Sequence, residues 1–255
     1  MDEKKFLGLR RFNLIMGLFH LVQAILMLVL SNDFSQQVYG YFLQFDPATQ
    51  SLQPGLEKLF NIPIAPLVAL FLLFSAVAHL TISIGPVYEW YVKNLKKGIN
   101  YARWYEYAFS SSLMIVLIGM LVGILEFSAL FMMFVLNAGM IFFGLMMELH
   151  NQTTKKTDWT SYIYGCIMGI APWIAIAYYL LNAGEGDLKP PDFVYGIFFS
   201  IFVFFNTFTV NMLLQYKKVG KWSDYLFGEK MYIVLSLLAK SALAWQVFAG
   251  TLRPV

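Results

Sequence analysis

One lysine carries the chemistry this sequence invites. Between Met231 and Gly250 the only charge is Lys240, near the middle of an apolar run long enough to cross a bilayer, which takes about 20 residues. A charge at that depth costs a few kcal/mol or more, so it is read first as functional. Three arrangements accommodate it: snorkelling to an interface, pairing with a buried carboxylate, or covalent modification. Snorkelling fails on length. Lys240 lies roughly 10 residues from either end of its run, about 15 Å at 1.5 Å per residue, and a lysine side chain reaches only ~6 Å. Pairing and covalent chemistry stay open, and a desolvated lysine is the usual amine for Schiff-base formation.

Two acids look intramembrane, Glu106 and Glu148. Glu148 falls in the last turn of its apolar run and reads as an ordinary interfacial charge. Glu106 reads as the partner. It lies roughly 10 Å inside its end of the membrane, and Lys240 roughly 18–20 Å from the same side. Helical side chains lean toward the helix N-terminus, so an extended lysine covers most of that gap. Arg103 and Glu106 stand at i, i+3, which places a cation beside the carboxylate. A purely structural buried pair is the plain alternative for this trio.

Further polar residues gather at similar depth. Tyr232, Ser236 and Lys240 form an i, i+4, i+8 stripe; His20 and Gln23 share one face of the first run, Ser75 and His79 one face of the second. A lone histidine on an apolar face is usually a satisfied core residue. Two at matching depth near a buried carboxylate suggest a hydrated, proton-accepting cavity. Metal binding by His20 and His79 is the lesser option, because no further ligand is evident, and no metal site is expected. Trp173 after Pro172, and Phe204, Phe205 and Asn206, could wall a flat ligand, although aromatics in a helical bundle more often simply pack.

These residues need a frame. The chain of 255 residues is 59% hydrophobic and 13% charged, with mean hydropathy +0.62, which fits a helical membrane protein rather than a soluble domain. Apolar runs at about 12–31, 62–85, 99–124, 127–149, 159–182, 192–216 and 227–250 make seven spans of one all-α bundle, a single domain over 1–255. The one long connection, 32–61, has strand-forming residues from Val38 to Phe45, a turn signal at Asp46-Pro47, and Pro54-Gly55 further on, which suggests a small β-hairpin on the membrane face. The single cysteine, Cys166, excludes an intrachain disulfide. The net charge of +3 gives no reason to expect nucleic acid. The first run lacks a small-residue cleavage site and reads as a retained helix.

Orientation follows from the basic residues. Lys4, Lys5, Arg10, Arg11, Lys93, Lys96, Lys97, Arg103, Lys155, Lys156, Lys217, Lys218, Lys221 and Lys230 fall on one side, against Lys58, Lys189 and Arg253 on the other. The N-terminus is therefore expected in the cytoplasm and the C-terminus outside, with the protein multi-pass in the cell membrane among lipid.

With Lys240 on the seventh run and a carboxylate three residues after an arginine on the third, the chain resembles the microbial rhodopsins, and more finely the heliorhodopsins. Trp104-Tyr-Glu106-Tyr-Ala-Phe-Ser-Ser-Ser112, Trp222-Ser-Asp-Tyr-Leu226 and above all Tyr232-Ile-Val-Leu-Ser-Leu-Leu-Ala-Lys-Ser-Ala-Leu-Ala-Trp245 carry the resemblance. It implies the inverted topology that the charge count reached independently. It implies all-trans retinal on Lys240 as a protonated Schiff base, with Glu106 as counterion. Tyr107, Ser110, Met114, Asn137, Trp173, Phe205 and Ser236 would shape the retinal pocket. His20, Gln23, Ser75, His79, Asn100 and Trp245 would form the proton-accepting cavity, with Tyr107 at its edge. Ser236 stands where ion-pumping relatives carry a second aspartate, and Leu117 where proton pumps keep a donor. The implied function is a light-sensing switch with a slow photocycle, neither pump nor enzyme, acting as a homodimer with an unidentified cytoplasmic signalling partner. The alternatives are an ion transporter or channel gated by the Lys240–Glu106 pair, and an intramembrane enzyme, for which no nucleophile-and-base motif is present.

Overall fold

Apolar runs of this length have one low-energy fate in a bilayer: helices that satisfy their own backbone. The computed structural model describes residues 3–184 and 189–254 and shows seven helices long and apolar enough to cross a membrane. They are α1 (Glu3–Leu30), α2 (Ile64–Thr81), α4 (Tyr101–Leu121), α5 (Phe127–His150), α6 (Thr160–Leu181), α7 (Asp192–Tyr216) and α8 (Tyr225–Val247), the last continued by a π turn, Phe248–Leu252. The seven expected spans are all present.

Two boundaries differ from expectation for local reasons. Helix α1 starts at Glu3 instead of near residue 12, because lysines and arginines are good helix formers that can project beyond the membrane. The second span stops at Thr81, and a separate short helix, α3 (Gly85–Leu95), follows it. Gly85, at φ +39°, and Pro86 force the break, since proline cannot continue a helix but suits its first turn. Helix α3 buries Tyr91 and Leu95 and leaves Trp90 and Val87 exposed.

The hairpin is present and longer than expected. Strands β1 (Ser35–Asp46) and β2 (Ser51–Pro63) pair antiparallel, from Ser35 opposite Pro63 to Asp46 opposite Ser51. At the turn the Asp46 side chain accepts from the Ala48 amide (2.9 Å) and the Thr49 hydroxyl (2.9 Å), a short-range arrangement that aspartate favours. At its root, the Tyr39 amide donates to the Leu125 carbonyl at 2.9 Å, anchoring the hairpin to the α4–α5 connection. Its outer part exposes Tyr41, Phe42, Leu43, Phe45 and Leu52.

Helix α4 is the centre post. Its most apolar window is 72% buried, against 22–50% for the other six spans. Met114, Ile115, Leu117, Ile118 and Met120 pack it into the main core with Val68, Phe71 and Leu72 of α2 and Ala239, Leu243 and Ala244 of α8. Its start is fixed by Asn100, whose side-chain oxygen accepts from the Arg103 amide at 3.1 Å, an N-cap of the preferred type.

Candidate functional site

Lys240, on α8, is buried, with its side chain 4% exposed. Its Nζ donates to Glu106 Oε1 of α4 at 2.7 Å and to Ser75 Oγ of α2. Ser75 Oγ in turn donates to Glu106 Oε1 at 2.7 Å. Three helices thus meet at one ammonium–carboxylate contact. The expected reach of Lys240 back to Glu106 is observed. The face of the Tyr107 ring lies 5.2 Å from Nζ, close enough for a cation–π attraction, and its hydroxyl donates to the Tyr232 carbonyl at 2.8 Å.

Arg103 does not stand by Glu106. It bonds Glu148 Oε1 through Nη2 and Glu229 Oε1 through Nη1, each at 2.5 Å. A long side chain on a helix leans toward the N-terminus, so Arg103 reaches a layer nearer the helix start while Glu106 faces Lys240. Glu148 is accordingly no interfacial charge. It is 2% exposed, and Oε2 accepts from the Asn100 amide (2.9 Å) and from Trp104 Nε1 (2.6 Å). Glu229, absent from the sequence reading, is 1% exposed and accepts from Asn100 Nδ2 at 2.7 Å and Gln215 Nε2 at 3.4 Å. The guanidinium is held 3.8 Å from the Tyr232 ring centroid and 4.3 Å from that of Trp104.

A cavity of about 170 Å³ opens on Lys240. Tyr107, Ser110, Met114, Trp173, Phe205 and Ser236 line it, as expected of the pocket. Asn137 stands behind that wall, donating to Ser111 Oγ (2.7 Å) and Ser112 Oγ (3.1 Å). The Trp173 ring packs edge-on against Phe198, Phe202 and Phe205. Glycines of α5 and α6 make the room. A Cβ at Gly144 would meet the Trp104 ring at 2.3 Å, and one at Gly169 would meet Met140 Sδ at 2.2 Å. An amine at one end, aromatic and aliphatic walls, and the buried, unpartnered Ser236 Oγ one turn from Lys240 form a site that fits a flat apolar aldehyde.

A second, smaller cavity of about 30 Å³ lies on the other side of Glu106, toward the helix ends nearest the N-terminus, and is lined by Asn13, His79, Asn100, Arg103, Glu106, Tyr107 and Glu229 among others. His79 Nδ1 is 2.7 Å from Asn13 Oδ1. Asn13 Nδ2 donates to the Leu9 carbonyl, so Oδ1 is the acceptor, Nδ1 carries the hydrogen, and Nε2 is the basic nitrogen. The His20 ring stacks on that of His79 at 5.8 Å, fully buried, with neither nitrogen partnered. The two histidines thus stand together, but only His79 of the pair lines this cavity, and Ser75, bonded to Glu106, does not line it either. Gln23 and Trp245 do not join them: Trp245 Nε1 donates to Gln23 Oε1 at 3.1 Å at a partly exposed position, and neither residue lines this cavity. Among the described residues no group of three or more His, Cys, Asp or Glu could hold a metal ion.

This geometry coincides with a family match: the heliorhodopsin family model covers residues 9–252. The chain belongs to the heliorhodopsin family. A heliorhodopsin is a retinal-binding, light-responsive rhodopsin. No curated protein matches the sequence. Among solved structures, the chain is similar to a light-driven proton pump from Leptosphaeria maculans, at 15% identity and a TM-score of 0.65, covering 98% of this chain and 97% of that one. It is also similar to cyanorhodopsin from the cyanobacterium Tolypothrix sp. NIES-4075, at 13% identity and a TM-score of 0.66, covering 98% and 96%. At those identities the likeness shows the microbial rhodopsin fold of this heliorhodopsin.

Proposed function

We propose that this heliorhodopsin is a light-sensing switch that holds all-trans retinal on Lys240 and moves no ion across the membrane. The observation that carries the reading is the Lys240 Nζ–Glu106 Oε1 contact at 2.7 Å, buried at the mouth of the larger cavity. Here Nζ stands in for the nitrogen of the retinal linkage. Bound there, retinal supplies a polyene that light isomerises. The protein's part is electrostatic. Glu106 holds the positive charge on the Lys240 nitrogen, an opposite charge favouring the protonated form, and Ser75 bonds both partners and fixes their geometry. When that nitrogen moves relative to Glu106 the contact weakens, and its proton enters the small cavity where His79 Nε2 can accept it. The release is reversible, which suits a switch.

Absence of pumping is supported by the placement of the acids. The buried carboxylates Glu106, Glu148 and Glu229 all lie on the N-terminal side of Lys240 along the bundle, and among the described residues none is buried between Lys240 and the hairpin. Leu117, in the opposite half of α4, has no proton to give, and Ser236, between Glu229 and Lys240 on α8, supplies a hydroxyl but no carboxylate. The basic loops support an N-terminus in the cytoplasm, where a signalling partner would dock, and the exposed apolar hairpin suits contact with a second copy. No enzymatic activity is proposed.

The test is a visible spectrum of the protein expressed with all-trans retinal, before and after hydroxylamine under illumination. A band that bleaches and is missing in Lys240→Ala is expected. A wild-type protein with no band, or a band that persists in Lys240→Ala, overturns the reading.

A further inference from the structure

Two ion pairs join α4 to α8, and they are poled oppositely: Glu106 to Lys240, and Arg103 to Glu229. The first is electrically balanced. The second is not, because Glu148 of α5 also binds Arg103, leaving two carboxylates to one guanidinium. Every hydrogen bond to these carboxylates comes from a nitrogen donor: Arg103, Trp104 and the Asn100 backbone for Glu148, and Arg103, Asn100 Nδ2 and Gln215 for Glu229. Such donors suit ionised acids, and with both carboxylates ionised the buried cluster carries one negative charge in excess. Its other titratable neighbours are Tyr91 of α3, Tyr216 of α7, and Tyr225 and Tyr232 of α8 itself. Burial pushes the Tyr91 hydroxyl well above the ordinary tyrosine range, so this phenol stays neutral.

Of the two acids, only Glu229 lines the small cavity that also holds Glu106 and His79. About 30 Å³ has room for on the order of two water molecules, enough to carry a proton between the two carboxylates. We propose that Glu229 is where the proton leaving the Lys240 nitrogen is held. This rests on the light-switch reading and names its end station. The N–H bond breaks with its electron pair left on nitrogen, and an O–H bond forms on a Glu229 oxygen. The cluster then becomes neutral while Glu106, having lost its cation, keeps its negative charge, so the total between α4 and α8 is unchanged.

The same geometry returns the proton. Glu229 Oε2 faces Asn100 Nδ2, a donor that opposes an O–H there. Asn100 cannot turn its amide round to accept, because its Oδ1 already caps α4 through the Arg103 amide. The protonated state is therefore tolerated but not preferred, which makes Glu229 a store that empties in the dark.

Infrared difference spectroscopy tests this in two arms. With retinal bound, light should produce a protonated-carboxyl C=O band that shifts in D2O, disappears in Glu229→Gln, changes frequency in Glu229→Asp, and falls at least about threefold in Glu148→Gln, where the excess charge is gone. In the retinal-free protein, acidification should titrate one buried carboxyl that Glu229→Gln lacks. A light-induced band unchanged in Glu229→Gln, or identical acid titrations of the two retinal-free proteins, overturns the proposal. Should Glu229→Gln fail to fold, an unmoved frequency in Glu229→Asp overturns it equally. A chain that forms no pigment counts against the light-switch reading alone, and the retinal-free titration then decides the role of Glu229.

Discussion

At the scale of single residues, what matters is which charge each charge answers to. Glu106 answers Lys240, so Glu106→Gln should move the visible band to longer wavelength, because a counter-charge that localises the positive charge on nitrogen has been removed; an unchanged spectrum would take Glu106 out of that role. Lys240 and Glu106 were legible in the sequence because each interrupts an apolar run far from its ends. Glu229 was not, for it lies five residues after Asp224 and beside Lys230, and reads as part of a polar helix start. Glu148 was misread for the matching reason at a helix end. Distance along a helix gives depth but not the neighbour a side chain faces. Only the packing of α4, α5 and α8 shows that both acids turn inward to one arginine. The Arg103–Glu106 spacing misled in the same way, since i, i+3 proximity on a surface does not fix where two side chains of different length end.

At the scale of elements, caps and glycines place these residues. Asp224 caps α8 by accepting from the Leu226 amide at 3.1 Å, and its other oxygen accepts from Lys5 Nζ of α1 at 2.7 Å. Asp224→Ala should cost about 1 kcal/mol, the usual worth of a cap, read as a fall of roughly 2–4 °C in the thermal midpoint in detergent. The hydrogen bond from Lys5 holds the Asp224 carboxyl below the usual carboxylate range. Its contribution is therefore present at neutral pH and is lost as pH falls through that lowered value. Gly144 lets the Trp104 ring lie against α5, where its indole serves Glu148. Gly144→Ala forces the ring or the helix to move and should destabilise by about 1–3 kcal/mol, again visible in the melting point. The spans and the hairpin were legible from hydropathy and turn residues. The wall of the larger cavity was only partly so, because glycine at positions 144, 165 and 169 acts through the side chains it admits and has no pattern of its own.

At the scale of the whole molecule, sidedness and centrality follow. With Cys166 replaced by serine, a cysteine at the exposed hairpin position Thr49 should react with a membrane-impermeant thiol reagent in intact cells, and one at Lys155 should not; the reverse labelling would invert the proposed orientation. Centrality has a consequence for how the chain is made. Helix α4 is the most buried span and also the least apolar, with mean hydropathy 1.3 against 1.5–2.1 for the rest. It carries Arg103 and Glu106 in its first two turns, and a charge inside a span is costly unless it is paired. Their partners come from α5 and from α8, both synthesised after it. Until α8 is in place, α4 holds a carboxylate in lipid with no counter-charge. A ribosome stalled before Tyr225 would therefore leave a chain whose middle helix leaves the bilayer readily, marking the unfinished protein for quality control before any pigment could form.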